Sequence, residues 1–315
     1  MPHSTAPNNE FLWSHTRHET FSTCLRRYYY AFYAAWGGWF PTAPAPARLA
    51  YTLKRLQSRQ TWLADRVVYA IAEILHAAPV PPDALPALAE RVAERKLDLM
   101  RTEFLHSRNG AYRADPAHIV ALFDHYYETP LSPDDWRDTV NRLPLAVTQF
   151  ARSPLAAELT ALPKNRFLSI NRPVSVRLDG LHFRAHPHLV VLDPDASLHL
   201  YHWETDPATP LPALRQRLLI HALALSIARP DTPSPIRATA FHALLGTSLD
   251  FAFAPPDLAD IRQFVLDSAD EMLFPLADPA ANDPGDPSSF DPSPLPPPST
   301  CALCNFRQIC PHLPH

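Results

Sequence analysis

Between residues 18 and 35, HETFSTCLRRYYYAFYAA sets Phe21, Cys24, Leu25, Tyr28 and Phe32 at the three- and four-residue spacing of a helix, with Arg26 and Arg27 off that stripe. The pattern predicts one helix over 18–35, with Cys24 facing the interior. GGW at 37–39 ends it and PTAPAPA reads as a loop. Apolar periodicity resumes over 47–77, around LKRL and WLADRVVYAIAEIL, until Pro79, Pro81 and Pro82 stop it. Helical patterns over 84–106, 116–128 and 133–151 make the first half mostly α.

The character changes after residue 160. RFLSINRPVSVRLDGLHFRAHPHLVVLDPDASLHLYHWETD alternates apolar and polar positions, with turn signals at Asp179-Gly180 and in DPDAS. These predict three sequential strands, over 166–178, 181–192 and 198–204. A helix over 212–228, a strand around IRATAFHALL and a helix over 256–274 follow. Residues 275–300 hold nine prolines and no periodicity, which predicts an extended tether. The expected divisions are 1–46, an N-terminal helix and loop; 47–160, a helical region; 161–274, an αβ core; 275–300, the tether; and 301–315, a Cys-rich clasp. Together they are expected to form one integrated domain.

At 315 residues and 46% hydrophobic content the chain can bury a full core. No stretch approaches the roughly 20 apolar residues of a membrane helix, and MPHSTAPNNE lacks the regions of a secretory signal. A cytoplasmic protein with reduced thiols is the expectation. The net charge of −4 advertises no global nucleic-acid field, so any such surface must be local. Only Lys54, Lys96 and Lys164 are lysines among 28 basic residues, which suits GC-rich coding more simply than phosphate binding. The 37 prolines against six glycines predict stiff loops.

The four cysteines are unevenly placed. Cys301, Cys304 and Cys310 form C-x2-C-x5-C in CALCNFRQICPHLPH, and Cys24 is the remaining one. Three thiolates need a fourth to complete a four-thiolate site, and a proline-rich tether could carry the tail back to the first helix. On spacing alone an iron–sulfur cluster, Zn²⁺ and no metal all remain open, since free cysteine is also an ordinary core residue.

One cysteine in an aromatic, basic N-terminal helix and C-x2-C-x5-C at the C-terminal end resemble the iron–sulfur branch of the PD-(D/E)XK (RecB/AddB-like) nuclease superfamily. FLWSHTRHETFSTCLRRYYYAFYAAWGGW is similar to the S-x-x-x-F-x-x-C-P-R-x-Y-Y-Y opening of RecB-like domains, with Leu25 where proline is usual. The resemblance implies a mixed α/β (α+β) fold: a restriction-endonuclease-like core sheet flanked by helices, with a helical N-terminal half and the C-terminal clasp. It also implies a [4Fe–4S] cluster on Cys24, Cys301, Cys304 and Cys310, Zn²⁺ being the alternative at the same residues.

In that family two carboxylates on adjacent strands hold Mg²⁺ and a lysine polarises the attacking water. Matched to those motifs, the metal Asp position is His188, the D/E-x-K pair is His202 and Glu204, the Q-x-x-x-Y pair is Arg217 and His221, and the helical histidine is Tyr69. None of the expected catalytic residues is present. Asp193, Asp195 and Asp206 read as turn residues. His186 with His188, and His202 with Glu204, would share strand faces near His221, which reads either as a metal-free hydrogen-bonded polar core or as a rebuilt site that suits Zn²⁺, Fe²⁺ or Mn²⁺ better than Mg²⁺.

Three functions follow as expectations. The first is a catalytically inactive nuclease-like protein that binds DNA or serves a partner subunit, such as a helicase or nuclease, in a DNA-processing or defence complex. Arg17, Arg26 and Arg27 would contact phosphates, and Tyr29, Tyr30, Trp36 and Trp39 would stack bases. The second is an active nuclease with a His188/His202/Glu204 metal site. The third is a protein-binding scaffold.

Overall fold

The computed structural model describes residues 8–313; residues 1–7 and 314–315, the outer ends of the expected N-terminal and clasp segments, lie outside the described residues. The fold is mixed α and β. Helices α1 (His15–Thr23), α2 (Leu25–Tyr29), α3 (Ala45–Lys54), α4 (Arg59–His76), α5 (Leu85–Arg108), α6 (Phe123–Tyr126), α7 (Pro133–Arg152) and α8 (Pro154–Ala161) precede the sheet. Strands β1 (Phe167–Ile170), β2 (Val174–Leu178), β3 (Leu181–Ala185), β4 (Leu189–Leu192) and β5 (Leu198–Glu204) follow, then α9 (Leu211–Ala228), β6 (Ile236–His242), β7 (Thr247–Phe253), α10 (Pro255–Leu273) and α11 (Pro298–Ala302). None of the helices among the described residues is long and apolar enough to cross a membrane.

The described residues divide into two compact units, each discontinuous in sequence. One combines 8–57, 105–129 and 264–313; the other combines 58–104 and 130–263.

In the second unit, five strands form a sheet in the order β7-β6-β5-β4-β1. β5 and β6 run parallel and the other neighbours antiparallel. The parallel pair is joined through α9, as a parallel connection requires a crossover. Central β5 is buried at every position except His199, hence the near-continuous apolar run LHLYHW.

The predicted strand 166–178 is broken into β1 and β2 by Asn171, with φ 48°, and by Pro173, which has no N–H to give a ladder. The predicted strand 181–192 is likewise interrupted over residues 186–188, around Pro187. Three expected strands are therefore five. The β2–β3 hairpin turns at Asp179 (φ 49°) and Gly180 (φ 89°), the two positive values an Asp-Gly turn supplies. β7 is absent from the sequence reading; its TSLDFAF is largely exposed at a sheet edge, and it pairs with β6.

Helix starts follow their caps. Ser58 Oγ accepts from Thr61 N–H at 3.1 Å at the head of α4, whose apolar stripe buries Trp62, Val67, Ile71 and Ile74. Ser132 and Asp135 form a reciprocal capping box on α7, with Pro133 in its first turn.

The first unit is built on aromatic residues. Tyr28 and Phe290 are fully buried, and the Phe290 ring lies 5.2 Å from Tyr29 and 5.6 Å from Tyr33. A second cluster joins Ala31, Leu53, Leu56, Tyr112, Ala121, Phe123 and Phe306. The segment 275–300 is thus not an extended tether. It carries a 3₁₀ turn over Pro287–Phe290, and it buries Asn282 as well as Phe290. Prolines forbid a long helix there, yet they leave single side chains free to pack.

Candidate functional site

Cys24 lies at a break between two helices, not on the buried stripe of one. Its backbone is extended (φ −169°, ψ 121°), its N–H closes α1 on the Thr20 carbonyl at 3.1 Å, and its carbonyl receives Tyr28 N–H at 2.9 Å to open α2. All four cysteines are free and only partly buried.

The four thiols line a single cavity, together with Arg26, Arg27, Tyr30, Pro296, Thr300, Phe306 and Leu313. Burial raises the Cys301 thiol, and the neighbouring Cys24 and Cys310 raise it further. Burial also raises Cys304, against the Phe306 amide and Arg27, which favour its thiolate; Cys24 and Cys310 add to the rise. The thiols are therefore close enough to feel one another. Among the described residues, no three Cys, His, Asp or Glu side chains converge as a site for a single metal ion.

Contacts from distant segments hold the tail in place. Tyr30 Oη donates to the Ile309 carbonyl at 2.8 Å, Asn305 Nδ2 to the Leu56 carbonyl at 2.9 Å, and Tyr127 Oη to the Asn305 carbonyl at 2.6 Å. The Arg26 guanidinium pairs with Asp291, which also receives His312 Nε2 at 2.9 Å. Phe306 is buried and stacks on Tyr30 at 5.5 Å.

Two of the three expected phosphate contacts are corrected by this packing. Arg17 is 4% exposed, sits 4.7 Å from the ring centres of Phe11 and Phe32, and donates to Tyr33 Oη at 3.1 Å. Arg26 is 7% exposed and committed to Asp291. Helical phase alone had placed Arg26 and Arg27 outside, but a guanidinium can be buried against aromatic faces when its donors are satisfied. Only Arg27 of the three keeps appreciable exposure, and it borders the cysteine cavity. Trp36 and Trp39 pack on each other at 5.1 Å.

The second group of candidate residues lies in the other unit. His188 falls in the break between β3 and β4, and His202 and Glu204 lie on β5. The His188 and His202 rings stack with centres 4.3 Å apart and planes 19° off parallel, and His221 on α9 is 6.1 Å from His202. His188 Nδ1 accepts the Trp203 N–H at 3.0 Å, which leaves its proton on Nε2. The structure thus brings together His188, His202, Glu204, Arg217 and His221. Tyr69 stands apart, exposed on α4 beneath the Arg66 guanidinium, and His186 is exposed.

Charge within this group is already balanced. Arg217 Nη1 lies 3.4 Å from Glu204 Oε2 and 3.5 Å from His202 Nε2. Glu204 Oε1 accepts the N–H groups of Thr205 and Asp206 at 2.8 and 2.9 Å. Burial pushes Glu204 up, but His202 and the two amides outweigh it and bring the carboxyl to about 2. Burial holds His188 well below the usual imidazole range, and the adjacent His202, His221, His186 and Arg217 act in the same direction. His202 is lowered by burial and by Arg217, against Glu204. The carboxylate that would hold a metal faces the protein's own cation.

Asp291, Phe290, Asn305 and Phe306 were missed from sequence. A single aromatic followed by an acid in an otherwise apolar-poor, proline-rich stretch, SSFD, is the available signal for Phe290 and Asp291.

No family model matches the chain, and no curated protein matches it. A solved structure described as "Crystal structure of SSO0001" aligns at 14% identity over 58% of this chain and 82% of that chain, with a TM-score of 0.29. Similarity at that level carries no argument about fold or function.

Proposed function

We propose that this chain is a PD-(D/E)XK nuclease-like protein in which Cys24, Cys301, Cys304 and Cys310 hold a [4Fe–4S] cluster and the nuclease centre is catalytically inactive. It serves as a nucleic-acid-binding or structural subunit of a DNA-processing or defence complex. The observation that carries this reading is the convergence of four thiols, separated by up to 286 residues of chain (Cys24 to Cys310), on one cavity.

The donor set fits the group. Four soft thiolates suit iron–sulfur or zinc. Both groups would take all four thiolates, and the preference for the cluster rests on the family resemblance. Leu25, where the family has proline, is the first residue of α2, a position where proline is well tolerated. Bound there, the cluster supplies a covalent cross-link between the α1–α2 junction and the tail.

The inactive reading rests on Arg217. Its guanidinium occupies the neighbourhood of Glu204 and His202 where a divalent ion would have to sit, so the alternative of an active His/Glu metal site must first displace a paired cation. Nucleic-acid contact, in this reading, falls to residues other than Arg17 and Arg26.

Anaerobic purification tests the first half: brown protein with equimolar iron and sulfide is expected, and zinc without sulfide would replace the cluster by a single ion. Cleavage assays on single- and double-stranded DNA with Mg²⁺, Mn²⁺ and Zn²⁺ test the second. Metal-dependent cleavage that His202→Ala abolishes would restore the active-site alternative. Salt-independent failure to bind any nucleic acid, with a stable protein partner, would favour a scaffold.

A further inference from the structure

β1 is an edge strand of the five-stranded sheet, paired with β4 on one side only. Its four residues, Phe167 to Ile170, all line a groove of about 260 Å³ that is continued by Leu75, His76, Lys164 and Arg172. Within β1 the Ser169 hydroxyl is buried and has no hydrogen-bond partner.

Charge at this edge has one sign. Lys164 stands just before β1, Arg172 just after it, and His76 beside it at the end of α4, and all three are exposed. Neither Lys164 nor Arg172 makes an ion pair among the described residues. Asp193, which pairs with Arg166 just before β1, is also held by Arg237.

We infer that the β1 edge docks an extended acidic peptide segment of a partner protein, which adds a sixth strand to the sheet. Strand addition supplies main-chain hydrogen bonds to an open edge, and alternate side chains supply specificity. Here the open main chain of β1 pairs with the incoming strand, and Lys164, Arg172 and His76 meet its carboxylates. The charge pattern selects an acidic occupant over a second copy of this edge, because two copies would set like charges against each other. This docking is independent of the cysteine cavity and goes beyond the function proposed above.

The test uses the full chain and a fluorescein-labelled peptide alternating Val or Thr with Glu, with a Lys-for-Glu version as its counterpart, read by anisotropy. Saturable binding of the acidic peptide only is expected, weakened about tenfold or more by Lys164→Glu/Arg172→Glu and by high salt. Ser169→Ala, which removes only a buried hydroxyl, and Leu249→Glu on β7, at the opposite edge, should leave it unchanged. New amide protection within residues 167–170 in hydrogen exchange must accompany binding. The double charge reversal is at exposed positions, and an unaltered melting temperature shows that it folds. Equal binding of the lysine peptide, binding insensitive to the charge reversal, or no protection at 167–170 would overturn the proposal. So would displacement of the peptide by millimolar inorganic phosphate, or a chain dimer abolished by the same reversal.

Discussion

Arg26 and Asp291 are paired across 265 residues of sequence, with the guanidinium buried and the carboxylate half-exposed. The pair joins the helix that begins beside Cys24 to the proline-rich segment that leads into Cys301. Position in the chain therefore says little about position in the first unit, where residues near both described ends share one core.

Removing the acid leaves a buried cation without its partner. Asp291→Ala should destabilise the first unit by about 1–3 kcal/mol, seen as an earlier denaturant transition. Asp291 is held below the ordinary carboxyl value of 3.8 by His312 and Arg26. Its folded value lies below its unfolded one, so the contribution is complete above that value and lost as pH falls through the folded one. An Asp291→Ala variant as stable as wild type at pH 7 would show that the pair is only decorative.

Each of the four thiols should matter equally to the bound group. Cys24→Ala, Cys301→Ala, Cys304→Ala and Cys310→Ala are each expected to lose most iron and sulfide, measured by elemental analysis and sulfide colorimetry on anaerobically prepared protein. Cys24 is the decisive position, because nothing local links it to the C-terminal motif. Full cluster content in Cys24→Ala would separate it from the other three.

Arg17 should behave as a core residue. Arg17→Ala is expected to lower stability by about 2 kcal/mol or more, through the loss of its contacts with Phe11, Phe32 and Tyr33. Any nucleic-acid affinity measured for the wild type should be unchanged in the refolded variant. A specific loss of nucleic-acid affinity with an unchanged melting temperature would reinstate the surface role read from the sequence.

Acid should weaken the second unit in two stages. His188 and His202 lie below the ordinary imidazole value of 6.5, so the neutral rings favour the folded state above that pH and the contribution is lost as pH falls below it. Glu204 has the same sign lower down, with its stabilisation present above 4.5 and lost as pH falls towards about 2. Thermal melts across pH 7.5 to 3 should show both stages, and Glu204→Gln should lack the second. A stability flat from pH 7.5 to 4.5 would mean that these imidazoles are not buried neutral.

Glu103 accepts from Trp62 Nε1 at 2.7 Å and pairs with Arg66 at 3.0 Å. Glu103→Ala strands both donors beside a fully buried indole and should cost about 1–3 kcal/mol. Urea unfolding followed by tryptophan emission measures it. A Glu103→Gln variant, which keeps one acceptor for Trp62, should recover part of the loss.

The order of helices, the Asp-Gly hairpin, the buried face of α4 and the long helix before β6 were all legible in the sequence, because local propensity and apolar spacing act over a few residues and the structure obeys them. Thiol chemistry alone suggests grouping Cys24 with the tail cysteines; that these four residues line one cavity is a matter of the fold. Composition misread 275–300: low periodicity excludes a helix but says nothing of one phenylalanine that finds a pocket. Helical phase misread Arg26, and the kink at Cys24, since a single residue's backbone angles decide which way both neighbours face. At His188, His202 and Glu204 the sequence could show that the expected acids and lysine were replaced. Only the folded chain shows what took their place, because the Arg217 guanidinium comes from α9, and its approach to Glu204 is set by how that helix packs on the sheet. Residue types and local periods fix which elements form; the partners of buried charges are fixed by long-range packing, which no local window contains.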